Sequence, residues 1–315
     1  MMLASTANDL FWMSRYVERA ESIARILGAA RRISDVPQVA GGESNEWTSA
    51  LAAAGQLNAF TATGRAPDEE SVFAYLAFDE ANSSSIKSCI AFARQNARSV
   101  RPALTTETWE AINSAYLEFR DIERAGGSRR QRQDFLRWVL DVSLRVSGTA
   151  FRNMLRDERY WFTRLGFYIE RADNTARILD VKYHLLLPEH AGVGGSLDYY
   201  QWAAILRSVS ALTAYHWVYR QALKPWLIAD LLILREEMPR SLASCYDNIT
   251  TFLDELALAY GRQGPAQRAA RAMHSRLVNT RTDDVFQQGL HEFLSDFLSE
   301  NNKLGTAIAE QYNLI

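Results

Sequence analysis

The chain has 315 residues, of which 48% are hydrophobic and 23% are charged. This composition is typical of a globular protein with a sizeable core, and it excludes a chain that is disordered throughout. The formal net charge of −2 also argues against a protein held on nucleic acid or on an anionic membrane by bulk positive charge.

The sequence shows no recognisable targeting signal, membrane span or cysteine motif. Residues 1–10 lack the basic start and the unbroken apolar run of a secretory signal. The longest apolar stretch, residues 226–234, is interrupted by Asp230 and is far shorter than the roughly 20 residues that a membrane-spanning helix needs. Cys89 and Cys245 are the two cysteines, and their spacing fits neither a zinc site nor a disulfide framework. We therefore expect a cytoplasmic protein without a metal site.

Helical periodicity, with apolar residues three and four positions apart, begins at the N-terminus and recurs along the chain. The first helix is predicted at residues 3–33, a second pattern begins near residue 47 and fades near 61, and a shorter one covers 72–78. The next helices are predicted at about 85–100, 106–124, 130–146 and 156–187, and then at about 197–223, 225–237, 239–259, 265–279 and 283–311. Loops rich in Gly and Pro are predicted at 34–44, 126–128 and 188–196. Since no segment has the period-two pattern of a strand, the predicted class is all-α.

Two segments of the chain repeat each other. Residues 16–27 and 168–179 share eight of twelve identities, so that Glu18 and Arg19 recur 152 positions later as Glu170 and Arg171. A second match aligns residues 85–89 with 241–245, 156 positions apart, and places both cysteines at one repeated position. Two matches in the same order with nearly equal offsets predict an internal duplication. We expect a helical bundle built from two multi-helix repeats, residues 1–153 and 154–315, packed as one body.

The repeated Glu-Arg pair can be placed on its helix. Arg19 lies at the edge of the apolar face beside Trp12 and Ile23, where a charge needs an acceptor because an unpaired buried charge costs several kcal/mol. Adjacent residues on a helix do not face each other. Arg19 is therefore predicted to find its acceptor on another helix, and not in Glu18.

Two interpretations of the doubled pair remain open. In the structural one, Arg19 and Arg171 tie the two lead helices to their neighbours, while Glu21–Arg25 and Asp173–Arg177 are surface pairs one helical turn apart. In the functional one, the lead helices lie side by side and four charged groups converge on a cleft that binds a phosphate or a carboxylate. Recurrence does not separate them, because a duplicated fold also duplicates its structural ion pairs.

Searches for other chemistry give little. None of the five histidines follows a Glu by three positions, as helical di-iron sites require. Asp180 and His184 share a helix face, but a hydrogen bond between them explains that spacing better than a ligand set does. The arginines around residues 124–137 are interspersed with acids, which favours a solvated surface over a nucleic-acid site. Each cysteine is predicted to be a small packed residue and not a reactive thiol.

Taken together, these motifs resemble the bacterial alpha-E domain family, which is named for an all-helical domain with a Glu-Arg signature. The resemblance rests on the doubled Tyr-[Val/Ile]-Glu-Arg-Ala-[Glu/Asp] segments, on residues 85–89 with the following 93–98, and on Met154-Leu155-Arg156-Asp157-Glu158. It covers nearly the whole chain. There are two departures: Phe167 matches Arg15, and Tyr160 precedes Trp161 where the family more often has Gly. They argue against two strictly symmetric sites.

The resemblance implies a genomic context and not a reaction. Alpha-E proteins are typically encoded beside, or fused to, a circularly permuted ATP-grasp ligase, often with a transglutaminase-like peptidase nearby. We therefore expect a non-catalytic partner or scaffold of an ATP-grasp-type amide ligase in a peptide-modification system, with no cofactor.

Two alternatives stay open. One is an enzyme that binds a carboxylate or phosphate substrate between the Glu-Arg helices, and the other is an oligomeric structural protein. The candidate cleft or interface residues are the charged residues of the doubled motif and of the segment before its second copy: Glu18, Arg19, Arg25, Glu170, Arg171, Arg177, Arg156, Asp157 and Glu158.

Overall fold

The computed structural model describes residues 2–35, 46–125, 129–185 and 196–314. Over these ranges the protein is helical, and the described residues form no strand. In chain order the helices are α1 Ala4–Ser34, α2 Glu46–Ala53, α3 Leu57–Thr61, α4 Glu69–Ala77, α5 Ile86–Ser99, α6 Thr106–Ala125, α7 Arg129–Asn153, α8 Glu158–Leu185, α9 Ser196–Ser208, α10 Leu212–Tyr219, α11 Pro225–Ala229, α12 Leu242–Tyr260, α13 Pro265–Asn279, α14 Thr282–Gln288 and α15 Leu290–Tyr312. The predicted all-α class is confirmed. The loop predicted at 126–128, and nearly all of those at 34–44 and 188–196, lie outside the described residues.

Three of the predicted long helices are interrupted. The helix predicted at 197–223 is two, α9 and α10, because the backbone reverses at Ser210 with φ 58°. The one predicted at 225–237 is the short α11 followed by a π-helical turn, Asp230–Leu234. The one predicted at 283–311 breaks at Gly289, whose φ of 97° is a conformation that side-chain-bearing residues rarely adopt. A continuous apolar periodicity does not reveal such local changes in backbone conformation.

Helices α1 and α8 form the centre of the molecule and pack along each other. On its other sides α1 packs against α5 and α7, while α8 packs against α12 and α15. Leu10 and Leu27 of α1 and Leu165 and Leu179 of α8 are fully buried in one hydrophobic core that continues into both groups of helices. The two long helices therefore lie at the seam between the two groups.

Helices α5 and α12 begin in the same way. Ser85 caps α5 by accepting a hydrogen bond from the backbone N–H of Ser88, and Ser241 caps α12 by accepting one from Ser244. Such a side chain satisfies one of the free N–H groups at a helix start and stabilises it by about 1 kcal/mol. These two caps fix where α5 and α12 start beside the central pair. None of the helices in the described ranges has the length and apolarity to cross a membrane.

Candidate functional site

The Glu-Arg pairs of α1 and α8 bind each other across the seam. Arg171 donates two hydrogen bonds to Glu18, from Nε to Oε1 at 2.9 Å and from Nη2 to Oε2 at 2.8 Å. Reciprocally, Arg19 donates from Nε to Glu170 Oε1 at 2.5 Å and from Nη2 to Oε2 at 3.0 Å. This two-point geometry is the strongest arrangement available to an arginine and a carboxylate. The four motif residues thus clamp the two central helices together.

A second guanidinium reaches each of the two glutamates. Arg15, one turn before Arg19 on α1, donates from Nε to Glu170 Oε2 at 2.8 Å. Arg240, in the segment before α12, donates from Nη1 to Glu18 Oε1 at 3.1 Å. Each glutamate therefore faces two positive charges.

Around Glu21 the same network extends further. This carboxylate binds Arg240, Arg25 at 2.6 Å and the hydroxyl of Ser143 at 2.5 Å. Arg25 also donates to the backbone carbonyl of Ser208 at 2.8 Å, at the end of α9. Charged groups from α1, α8 and the segment before α12 meet here with a hydroxyl from α7, and Arg25 also holds the end of α9.

Burial and the neighbouring positive charges shift the pKa values of the two glutamates in opposite directions. The side chains of Glu18 and Glu170 are 1% and 4% exposed, and burial by itself would raise the pKa of each. Arg171 and Arg240 outweigh that effect and lower the pKa of Glu18 to about 2, and Arg19 and Arg15 do the same for Glu170. Both carboxylates are consequently ionised at neutral pH.

Nearly the whole chain matches a known family. A family model described as a predicted alpha-helical domain with a conserved ER motif matches residues 2–312. The chain belongs to the Alpha-E family. No curated protein and no solved structure matches the Alpha-E chain.

The structure confirms one prediction about the motif and corrects another. Arg19 of the Alpha-E protein takes its acceptor from another helix, and Glu18 and Arg19 are not each other's partner. The prediction that Glu21–Arg25 is a surface pair is wrong, because the two side chains are 3% and 10% exposed. The equivalent pair on α8, Asp173–Arg177 at 2.6 Å, is 13% and 29% exposed and borders a cavity.

That cavity lies on one side of the clamp and has a volume of about 250 Å³. Charged, polar, small and aliphatic residues from α1, α2, α8, α15 and the segments before α3 and α5 line it: Arg15, Arg19, Ser22, Ile23, Ile26, Ala53, Ala54, Gly55, Gln56, Ser84, Glu170, Asp173, Asn174, Arg177 and Asn302. Four of the predicted site residues, or their direct partners, therefore meet at a cavity: Arg19, Glu170, Arg177 and Asp173. Arg25 and Arg171 lie on the other side, within the network around Glu18 and Glu21.

The segment at the start of α8 lies elsewhere, contrary to the expectation that it borders the cleft. Glu158 is twelve residues before Glu170 on one helix, which is about 18 Å at 1.5 Å per residue. Its carboxylate accepts hydrogen bonds from the backbone N–H of Met2 at 2.7 Å and from Tyr260 at 3.2 Å. Arg156 lies over the ring of Tyr160, and Asp157 binds Arg159. These residues hold the start of α1 and α8 and are not part of the site at the Glu-Arg pairs.

Two further sequence predictions concern the cysteines and the Asp180–His184 pair. Both cysteines are completely buried, and burial raises the pKa of each to about 12, so they are packed thiols as expected. Asp180 lies 2.7 Å from Nδ1 of His291, on α15, and the side chain of His184 is outside the described residues. Among the described residues, no group of three or more His, Cys, Asp or Glu side chains is placed to hold a metal ion.

Arg240 and Ser143 contribute to the site but were not predicted from the sequence. The available signal was the alignment of residues 85–89 with 241–245, since it puts Arg240 immediately before a repeated helix cap. Ser143 carries no comparable signal, because a single serine on the buried face of α7 does not reveal its partner.

Proposed function

We propose that the Alpha-E protein is a non-catalytic helical partner, or scaffold, of an ATP-grasp-type amide ligase in a bacterial, cytoplasmic peptide-modification system. The observation that supports a non-catalytic role most directly is the reciprocal clamp of Glu18–Arg171 and Glu170–Arg19. The ligase, and a transglutaminase-like peptidase as a further partner, enter through the context that the Alpha-E resemblance implies.

The clamp gives the Glu-Arg motif a structural task. A general base works best with a pKa near the working pH. Glu18 and Glu170 have pKa values of about 2, and each is held by two guanidiniums. Neither carboxylate is suited to accept a proton at neutral pH, which argues against the enzyme alternative at these two residues.

We further infer that the chain is an internal duplication with units 1–153 and 154–315. In support, α1 packs with α5 and α7 as α8 packs with α12 and α15. The capped starts at Ser85 and Ser241 correspond, and the clamp relates the two motifs reciprocally. Such a body presents two related sets of outer helices on a rigid central pair.

The segment of α10 and α11 offers a surface on which a ligase could bind. Trp217 is 75% exposed and Trp226 is 48% exposed. The two helices are tied together because Tyr215 accepts a hydrogen bond from the N–H of Lys224 and donates one to the carbonyl of Ala222. Tryptophan is among the residues most enriched at the hot spots that carry most of the binding energy of a protein interface.

Affinity purification from the native bacterium tests the proposal. The tagged wild type is compared with Trp217→Ala/Trp226→Ala and with a control, Leu144→Ala/Leu258→Ala, which removes exposed apolar side chains from α7 and α12. We expect mass spectrometry to identify an ATP-grasp ligase with the wild type and the control. Recovery should fall about tenfold or more with the tryptophan variant, as loss of an interface hot spot predicts. Recovery of no ligase, with the protein eluting alone or as a homo-oligomer, would reject the proposal.

A further inference from the structure

The two halves of the clamp differ at one position outside the central helices. Ser84 directly precedes the capping residue Ser85 of α5, and Arg240 directly precedes the capping residue Ser241 of α12. Treating Ser84 and Arg240 as equivalent rests on the proposed duplication. The substitution replaces a long cationic side chain with a hydroxymethyl group.

This difference leaves space on one side only. The guanidinium of Arg240 reaches the carboxylates of Glu18 and Glu21 and fills the space beside them. On the other side, Ser84 faces the cavity that Glu170 and Asp173 also line. The cavity of about 250 Å³ is thus the counterpart of the space that the Arg240 side chain fills.

The side of the clamp with the cavity is positively charged although it has no counterpart of the Arg240 side chain. Arg15 supplies the second guanidinium to Glu170, whereas the residue equivalent to Arg15 on α8 is Phe167. Three arginines line the cavity, Arg15, Arg19 and Arg177, together with the two carboxylates. The charge of these lining groups is therefore +1, and an additional cation there would meet an excess of positive charge.

Several residues that line the cavity have polar groups without a partner among the described residues. Ser22 Oγ and Asn174 Nδ2 are buried without a hydrogen bond, and the residues are 4% and 8% exposed. Arg19 and Arg177 use Nε and Nη2 to bind carboxylates, and no hydrogen bond from either Nη1 is found in the described ranges. The Arg19 and Arg177 side chains are 23% and 29% exposed, so an anion in the cavity can accept charge-assisted hydrogen bonds from their Nη1 groups.

We propose that this cavity binds a small molecule through an oxyanion, either a carboxylate or a phosphate. The Nη1 groups of Arg19 and Arg177 would donate to the anion. At about 30 Å³ per water molecule, the volume accommodates about eight waters, so the ligand is of metabolite size. The apolar contacts of Ile23 and Ile26 provide a place for a short carbon chain.

Isothermal titration of the purified protein, without any ligase, tests the site. Inorganic phosphate and succinate are the probes, each titrated at constant ionic strength with chloride as the reference salt. Ser84→Arg is designed to fill the cavity as Arg240 fills its counterpart. The charge-matched control is Ser99→Arg, at an exposed position near the end of α5. A second variant, Arg177→Gln, removes a donor without filling the space, and thermal unfolding shows whether each variant is folded.

We expect at least one of the two probes to bind wild type and the Ser99→Arg control equally. Binding should weaken tenfold or more in Ser84→Arg and in Arg177→Gln, and the preferred probe identifies the anion as phosphate or carboxylate. Absence of binding of both probes to wild type, or equal binding by a folded Ser84→Arg, would overturn the proposal. Since no ligase is present, failure here is distinguishable from failure of the proposed partnership. If Ser84→Arg fails to fold, Arg177→Gln decides the question by itself.

Discussion

Gly166 of α8 lies against the backbone carbonyl oxygen of Phe11 on α1, so that a Cβ atom at position 166 would come within 2.2 Å of that oxygen. Backbone atoms cannot yield as a flexible side chain can, so Gly166→Ala must push the two central helices apart. We expect a loss of about 1–3 kcal/mol in the free energy of unfolding, the usual cost of overpacking. Urea denaturation followed by circular dichroism measures it.

Gly148→Ala on α7 is the matched control for this prediction. Apart from its chain neighbours and the adjacent backbone of α7, no atom lies within 4 Å of a Cβ at position 148. Alanine is favoured over glycine in a helix by about 0.5–1 kcal/mol, so this variant should be slightly stabilised. Equal behaviour of the two alanine variants would show that α1 and α8 do not approach closely at Gly166.

Removing one charge of the clamp should destabilise the fold strongly. Glu18→Gln leaves Arg171 and Arg240 buried beside a neutral amide, and breaking a buried ion pair from one side typically costs about 3–5 kcal/mol. Chemical denaturation of the variant measures the loss. Asp254→Asn provides the control, because its pair with Arg271 is half exposed and should contribute about 0–1 kcal/mol. A Glu18→Gln protein as stable as wild type would contradict the structural interpretation of the motif and favour the functional one.

The clamp also predicts how stability depends on pH. The folded-state pKa values of Glu18 and Glu170, about 2, lie below the ordinary value of 4.5. The stabilisation is therefore fully present above about pH 4.5 and is lost as the pH falls toward 2.

Urea denaturation at successive pH values between 6 and 3 tests this dependence. The free energy of unfolding should be level at the upper end and should fall steeply below about pH 4.5. In Glu18→Gln/Glu170→Gln, provided that it folds, the fall should be shallower because these two groups no longer titrate. The same slope in both proteins would assign acid unfolding to other carboxylates.

The two thiols should report on unfolding. Cys89 and Cys245 are fully buried, and burial raises the pKa of each to about 12, so almost no thiolate exists at pH 8. We expect the folded protein to react with an aromatic disulfide reagent at the rate of its own unfolding, with two equivalents released on denaturation. Rapid reaction of one thiol under native conditions would contradict its packed position.

Sequence periodicity predicted the class and most helices, because burial of one face imposes a 3.6-residue repeat. It also showed that Arg19 needs a partner on another helix. Which helix supplies that partner was not readable, since Glu170 is 151 residues away and the pairing depends on how α1 and α8 are rotated about their axes. The interruption at Ser210 was missed for a similar reason: its positive φ occurs where Arg25 of α1 caps the end of α9.

Replacing Arg240 should open a second cavity that accepts a cation. Arg240→Ser withdraws a guanidinium from Glu18 and Glu21, so the variant should be less stable than wild type by several kcal/mol. Methylguanidinium can occupy the vacated space and bind both carboxylates. At ten times its dissociation constant, such a ligand restores about 1.4 kcal/mol.

Thermal unfolding at millimolar methylguanidinium should therefore raise the Tm of Arg240→Ser. It should leave wild type unchanged, since the Arg240 side chain fills that space there. Methylammonium is the control, because a single ammonium cannot donate to two carboxylates in the forked geometry of a guanidinium. Equal stabilisation by both cations, or a rise in wild type as well, would mean that the space beside Glu18 and Glu21 has no preference for the group that Arg240 supplies.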